Sequence, residues 1–457
     1  MRNKQSKAQI QMQLNMCHDI YKQYSWLLNA YVSDYYVSEY WQQLPQSWRE
    51  SLKNLKPEVL SNIIDSESTL TNFQLLPLSL LALRQTIRYL SIPRAQENRL
   101  DQLKPIHGLL FNDNVMRNEH FKNCFWKRIK LKKRHEIELI AKMCYKLANE
   151  TQCHYIVDVG SGLGHLSRIL CYMYGLRVCA LEAQKCLCTE ARKLDDFMEN
   201  TMKNYFNISI NQNLRVAHLN VKIKTDHNGS DILEAVKKAF GIDNDNIQFG
   251  IVGLHPCGNL GPTLLRLFKQ STQVKFLNIV GCCYMKLTTF GYPLSAYSQK
   301  NNYELDYSAR ELACHALEAY VAKLKNGEFD QLKVHAYRAA LEKLITDRQP
   351  NMYHSQVNSV KCTNGLVFAE YCRKATSNLD IKLSINEIES LQIKNYLDNW
   401  KDVVVFYSLR LMIAPLVENI ILLDRLLYIL ESDYNCEITS LFNPQLSPRN
   451  QVLIAKK

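Results

Sequence analysis

This sequence predicts an α/β fold built on a parallel, doubly wound sheet, and three observations predict it. A β-branched run at Tyr155–Val159 opens directly onto Gly160-Ser-Gly-Leu-Gly164, the pattern of a buried strand that turns sharply into a helix. From there to Leu287, apolar runs of strand length alternate with amphipathic runs of helix length. Such alternation implies strands joined by crossover helices, with ligands at the carboxyl ends of the strands. At the far end, Glu437–Phe442 and Gln451–Ala455 flank a turn holding Pro444 and Pro448, which reads as a closing antiparallel hairpin.

The elements follow in order. Residues 1–120 contain no glycine before Gly108 and carry Tyr21, Tyr24, Leu27, Leu28, Tyr31 and Val32 at helical spacing, so this stretch is expected to be helical. Further helices are expected at Trp41–Leu52, interrupted near Pro45, at Pro57–Ile64 with proline just inside its start, and at Leu75–Leu90, stopped before Pro93. An amphipathic helix, His135–Leu147, feeds the strand Tyr155–Val159. Beyond the glycine loop come a helix His165–Tyr174, a strand Leu176–Leu181, a helix Cys186–Tyr205 and a strand Arg215–Val221. A loop Asp226–Ser230, a helix Asp231–Phe240, a strand Phe249–Leu254, a helix Gly261–Phe268 and a strand Phe276–Val280 complete the alternation. Helices are then expected at Leu305–Leu324 and Ala336–Ile345, and a pair of buried ones over 403–430.

Composition narrows the class. The 457 residues suggest two or three domains, and a 47% hydrophobic content excludes global disorder. A formal charge of +12 suits an anionic partner such as RNA. The densest basic stretch lies between Lys122 and Arg134, includes Lys130, Lys132 and Lys133, and interleaves Phe125 and Trp126, as nucleic-acid contacts do. The fifteen cysteines are scattered through apolar runs with no secretory segment ahead of them, so reduced thiols in an intracellular protein are expected. Val403–Leu430 resembles a membrane span but holds Arg410, Glu418, Asp424 and Arg425, so no membrane insertion is expected.

The glycine loop carries the chemistry. Asp158 stands two residues before Gly160, and Glu182 closes the next strand, 18 residues after Gly164. A carboxylate in the second place accepts from ribose hydroxyls. One in the first suits a ligand with an ammonium near the loop. S-adenosylmethionine has both groups, so Asp158, Gly160, Ser161, Gly162, Gly164, His165 and Glu182 are the expected cofactor-binding set. The Gly-x-Gly-x-Gly spacing and the terminal hairpin disfavour a nucleotide-linked oxidoreductase. His255 and Cys257, after the fourth strand, and Cys283 and Tyr284, after the fifth, fall at the same sheet edge and are the candidate catalytic residues. His255 suits a general base, and Tyr284 suits stacking or hydrogen bonding to substrate. No Cys-x-x-Cys pair occurs and adjacent cysteines rarely share one zinc, so no metal is expected.

Several blocks resemble one family. Asp158–Arg168, Gly253–Leu260, Val280–Thr288, Gly291–Ser295, the Arg410–Glu431 stretch and Leu441–Asn450 are similar to signature blocks of the methyltransferase-like protein 25 group, which includes ribosomal RNA adenine dimethylase domain-containing protein 1. The resemblance implies a class I S-adenosylmethionine-dependent, Rossmann-like, seven-stranded fold. It also implies a methyltransferase. With the basic charge beside it, the expected function is methyl transfer to RNA or a ribonucleoprotein-associated substrate, and the alternative is a non-catalytic scaffold of the same fold. The Cys282-Cys283 block is also similar to one in certain tRNA ribose methyltransferases, which carry histidines where this chain has Tyr284 and Met285. The expected division is a helical domain over 1–120, a methyltransferase core over 121–290, a helical insertion over 291–400 and, over 401–457, helices with the closing hairpin.

Overall fold

A computed structural model describes residues 6–53, 55–65, 68, 75–97, 118–126, 129–210, 214–224, 230–241, 247–361 and 365–457. The expected loop at 226–230 lies almost wholly outside them, as do Lys127 and Arg128 of the basic stretch.

The described residues hold one seven-stranded sheet: β1 (Tyr155–Val159), β2 (Arg177–Glu182), β3 (Ala217–Asn220), β4 (Phe249–Gly253), β5 (Val274–Val280), β6 (Asn435–Ser440) and β7 (Gln451–Lys456). Their order is β3-β2-β1-β4-β5-β7-β6. The first five run parallel, and β7 runs antiparallel to both β5 and β6. This is the class I Rossmann-like fold, with the reversed strand supplied by the terminal hairpin. Because the order reverses beside β1, a crevice opens at the carboxyl ends of β1 and β4, where such folds bind ligands.

The helix Leu131–Glu150 shows why the chain folds this way. Ile137, Ile140, Ala141, Cys144, Leu147 and Ala148 recur at three- and four-residue spacing and join Ile156, Val178, Val252, Phe276 and Val280 in one core. Gly250 in β4 admits the Phe276 ring, which an added Cβ would meet at 2.1 Å. The expected helix after the glycine loop is α-helical over His165–Arg168 and widens to a π turn over Ile169–Met173. The cysteines of the described residues are free thiols.

The chain divides into two units. One comprises Met1–Asn15, Pro93–Glu304 and Ile420–Lys457 and holds the sheet; the other comprises Met16–Ile92 and Leu305–Asn419. Among the described residues the second unit contains no strand. Its buried Arg84 donates from Nε to the Ile63 carbonyl at 3.0 Å and from Nη2 to the Asp65 carbonyl at 2.8 Å, stopping the helix Pro57–Ile64. The stretch expected as one helix over 305–324 forms two, Tyr307–Leu312 and Leu317–Lys325.

The pair of helices expected over 403–430 is one helix, Trp400–Leu430, with Pro415 inside it. Proline removes one hydrogen bond at a cost of about 3 kcal/mol. Burial of Val403–Phe406, Leu411–Ala414, Leu416, Val417 and Ile420–Leu423 outweighs that loss. Among the described residues no helix is long and apolar enough to cross a membrane.

Candidate functional site

The chain leaves β1 through three left-handed glycines, Gly160 (φ 73°), Gly162 (φ 57°) and Gly164 (φ 71°). What surrounds them differs. A Cβ on Gly164 would stand 2.5 Å from His218 Cε1, whereas one on Gly160 or Gly162 would meet nothing within 4 Å among the described residues. Gly164 therefore serves packing, and the other two border open space. Beside them, Ser161 Oγ is buried without a hydrogen-bond partner among the described residues.

Two carboxylates lie next to this loop, Asp158 near the end of β1 and Glu182 at the end of β2. Glu182 accepts from the Gly162 N–H at 2.9 Å and from the Gln184 N–H at 2.8 Å. A carboxylate has about four acceptor positions, so Glu182 holds the loop and keeps lone pairs for a ligand. Asp158 is buried and accepts from the Ser167 hydroxyl at 2.6 Å. Burial pushes its carboxyl up from 3.8 to about 6, against the Ser167 hydrogen bond and the charges of Lys133 and His218. His165 opens the following helix. Its burial, reinforced by Arg168 and Lys133, pushes it down to about 3, which keeps the ring neutral.

Beneath the loop lies a polar network that no sequence motif announces. Arg168 Nε stands 3.2 Å from Asp195 Oδ1, and His218 Nε2 stands 2.7 Å from Asp195 Oδ2, all three side chains being buried. Arg168 also donates from both terminal nitrogens to the Leu163 carbonyl, inside the glycine loop. Asp195 is one acid among several on the helix Lys185–Phe206, and His218 belongs to β3. Their meeting depends on how that helix packs across the sheet.

The loops after β4 and β5 form the other side of the edge. His255 Nε2 is 3.1 Å from Glu136 Oε2, and Ser447 Oγ donates to Glu136 Oε1 at 2.6 Å. Glu136 is almost fully buried. Burial would raise its carboxyl, but the contact with His255, then Ser447 and Lys133, holds it below the usual range. An ionised Glu136 makes His255 Nε2 the donor. That leaves the buried, unpartnered Nδ1 as an acceptor. The orienting acid lies 119 positions away, so adjacency in sequence could not reveal it.

Cys257, Cys282 and Cys283 converge, with sulfur separations of 3.6, 3.1 and 3.4 Å. Contact with Cys282, opposed by burial and aided by Cys283, His255 and Lys286, holds the Cys257 thiol below its usual range, while Cys282 is raised. Tyr284 departs from its expected role. It is fully buried, with the Arg425 and Arg449 guanidinium carbons 5.7 and 5.9 Å from its ring centre. It has no open face for stacking on a substrate, and its ring packs the core instead.

The three basic candidates separate. Lys130 is exposed, and Lys132 has a side chain 52% exposed with Nζ 3.9 Å from Glu136 Oε1. Lys133 is half-buried, and burial lowers its ammonium while Glu136 and Asp158 raise it. It stands with the loops rather than on an outer face.

The comparisons with known proteins bear on this same stretch. Residues 132–290 match the family described as "Methyltransferase domain". Over this stretch, about a third of its length, the chain is similar to a methyltransferase domain. That domain spans β1 to β5 with all three loops, and the β6–β7 hairpin completes its sheet from outside the matched residues. Two curated relatives carry the name "Probable methyltransferase-like protein 25", the group to which the signature blocks point. The Mus musculus protein is 31% identical over 231 residues, 45% of this chain and 37% of its own length. The Homo sapiens protein is 30% identical over 230 residues, 45% of this chain and 36% of its own length. The chain thus spans little more than a third of either relative. Among solved structures, that of the plantazolicin methyltransferase BpumL in complex with SAH overlaps 69% of this chain and 93% of its own, at 12% identity and a TM-score of 0.21.

Proposed function

We propose that the methyltransferase domain binds S-adenosylmethionine at the glycine loop and transfers its methyl group to RNA. The observation that carries the reading is the open space at Gly160 and Gly162, in a loop that holds Ser161, that Glu182 binds and that Asp158 precedes by two residues. The donor set fits the cofactor. Glu182 retains acceptor capacity for ribose hydroxyls, Asp158 offers negative charge for an ammonium, and Ser161 lacks a partner. When bound, S-adenosylmethionine supplies an electrophilic methyl group on a sulfonium.

The remaining work belongs to the chain. Methyl transfer is a displacement that depends on alignment, and the Arg168–Asp195–His218 network holds the loop for it. His255, fixed by Glu136 through Nε2, is the residue assigned to take up a proton from the attacking group, Nδ1 being the ring's remaining acceptor. RNA as the acceptor is supported by the +12 charge and by the outward-facing Lys130 and Lys132.

Labelled S-adenosylmethionine incubated with the protein and with RNA and protein fractions from cells lacking the gene tests this directly. Label in RNA is the expected result. Label only in protein overturns the substrate, and none in any fraction favours a scaffold of the same fold. Replacing Lys130 and Lys132 with glutamine should lower the slope of log K against log salt by roughly 1 for each phosphate that no longer meets a cation. An unchanged slope would place both lysines outside the RNA interface.

A further inference from the structure

The proposed methyl transfer does not use the sulfurs of Cys257, Cys282 and Cys283, yet the chain brings them together against its own local preferences. Successive side chains of an extended strand leave on opposite faces. Here Cys283 adopts φ 44°, a left-handed conformation, and both neighbouring sulfurs meet Cys257. Such a conformation at a non-glycine residue is strained. Gly258, with φ 59°, completes the approach: a Cβ there would stand 3.0 Å from the Lys286 carbonyl oxygen. The absent side chain eases the approach of the β4 loop to the turn after β5.

We propose that Cys257, Cys282 and Cys283 bind one zinc ion as thiolates, with the fourth coordination position open at the carboxyl edge of the sheet. Tetrahedral zinc with Zn–S bonds of about 2.3 Å sets its sulfurs about 3.8 Å apart. The triangle has edges of 3.1, 3.4 and 3.6 Å and accepts the ion by opening less than about 1 Å. Three thiolates select a soft ion, and three protein ligands with one open position are the arrangement of a zinc site that exchanges water or substrate.

Charge supports the assignment. Zinc with three thiolates carries a net charge of −1. Lys286 acts electrostatically on Cys257, and Lys133 and Arg425 act on Cys282. Arg425 is buried, and its Nε and Nη2 have no hydrogen-bond partner among the described residues. Its neighbour Asp424 already accepts from the Leu294 and Ser295 N–H groups and from the Ser295 hydroxyl. A buried guanidinium needs nearby negative charge, and a zinc–thiolate centre beside Cys282 provides it.

The test is the metal content of the full chain, purified in reducing buffer without chelators or metal-affinity resin. We expect about one zinc per chain by mass spectrometry of the elements. Cys257→Ser, Cys282→Ser and Cys283→Ser should each retain well under half, while Cys186→Ser, at an exposed cysteine, should retain it all. Because a cysteine variant can misfold, the unaltered chain is also stripped and titrated with Co²⁺. Sulfur-to-cobalt charge transfer with the intense visible bands of a tetrahedral site supports the proposal. A chain that carries no zinc and takes up no Co²⁺, or one that holds only copper, overturns it. The site does not depend on the methyl-donor reading, and a parallel titration with S-adenosylmethionine keeps failure of one distinct from failure of the other.

Discussion

The carboxyl edge of the sheet has two sides built on different principles. On the glycine-loop side, the carboxylates are tied back to the fold, Asp158 to Ser167, Glu182 to Gly162 and Gln184, and Asp195 to Arg168 and His218, while the Ser161 hydroxyl lacks a partner among the described residues. On the side formed by the loops after β4 and β5, His255 Nδ1 and two Arg425 nitrogens lack partners, and three sulfurs crowd together. The first side is a frame of tied carboxylates with one hydroxyl left open. The second keeps open capacity to accept a proton or hold an ion.

If the frame is as tightly tied as its contacts indicate, breaking it should be costly. Asp195→Ala leaves Arg168 and His218 buried without their acid and should lower unfolding free energy by about 3–5 kcal/mol in urea titrations. A loss under about 1 kcal/mol would show that the network contributes no more than an exposed ion pair does.

Asp158 sharpens the comparison through pH. Its carboxyl lies above its ordinary value, so the native state holds the proton more firmly than the unfolded chain. That contribution is fully present below about pH 3.8 and is lost as pH rises through about 6. Asp158→Asn should therefore gain stability relative to the unaltered protein between pH 4 and pH 7, by on the order of 2–3 kcal/mol, read as diverging urea midpoints. Binding of S-adenosylmethionine should move the other way and weaken as pH falls below about 6, with the Asn variant losing that dependence.

The glycines separate packing from ligand space. Gly164→Ala, with φ 71° and a 2.5 Å approach to His218, should cost about 1–3 kcal/mol of stability. Gly162→Ala meets no neighbour and should cost about 1 kcal/mol from backbone conformation alone. Its larger effect should be on cofactor affinity. Equal losses of stability in the two would erase the distinction.

Legibility in the sequence follows the same division. Asp158, the three glycines and Glu182 lie on consecutive elements, and the strand–helix alternation placed them without knowledge of long-range packing. The seven-stranded sheet and its reversed final strand were readable for the same reason. The role of Glu136 was not, because it reaches His255 from a helix 119 residues earlier. Nor was the Arg168–Asp195–His218 network, which depends on helix placement. The cysteines were visible, yet their spacing argued against an ion; the left-handed turn at Cys283 that unites them leaves no local signature. Pro415 suggested a break in the helix that burial overrides, and Tyr284 took a core position that its neighbourhood in sequence did not show.

Calorimetric titration of the full chain and its Glu182→Ala variant with S-adenosylmethionine tests the central claim most directly. The account predicts saturable binding at one site in the unaltered protein, weakened by about 1–3 kcal/mol in the variant. Equal affinity in both proteins, or no binding to the unaltered chain, would contradict it.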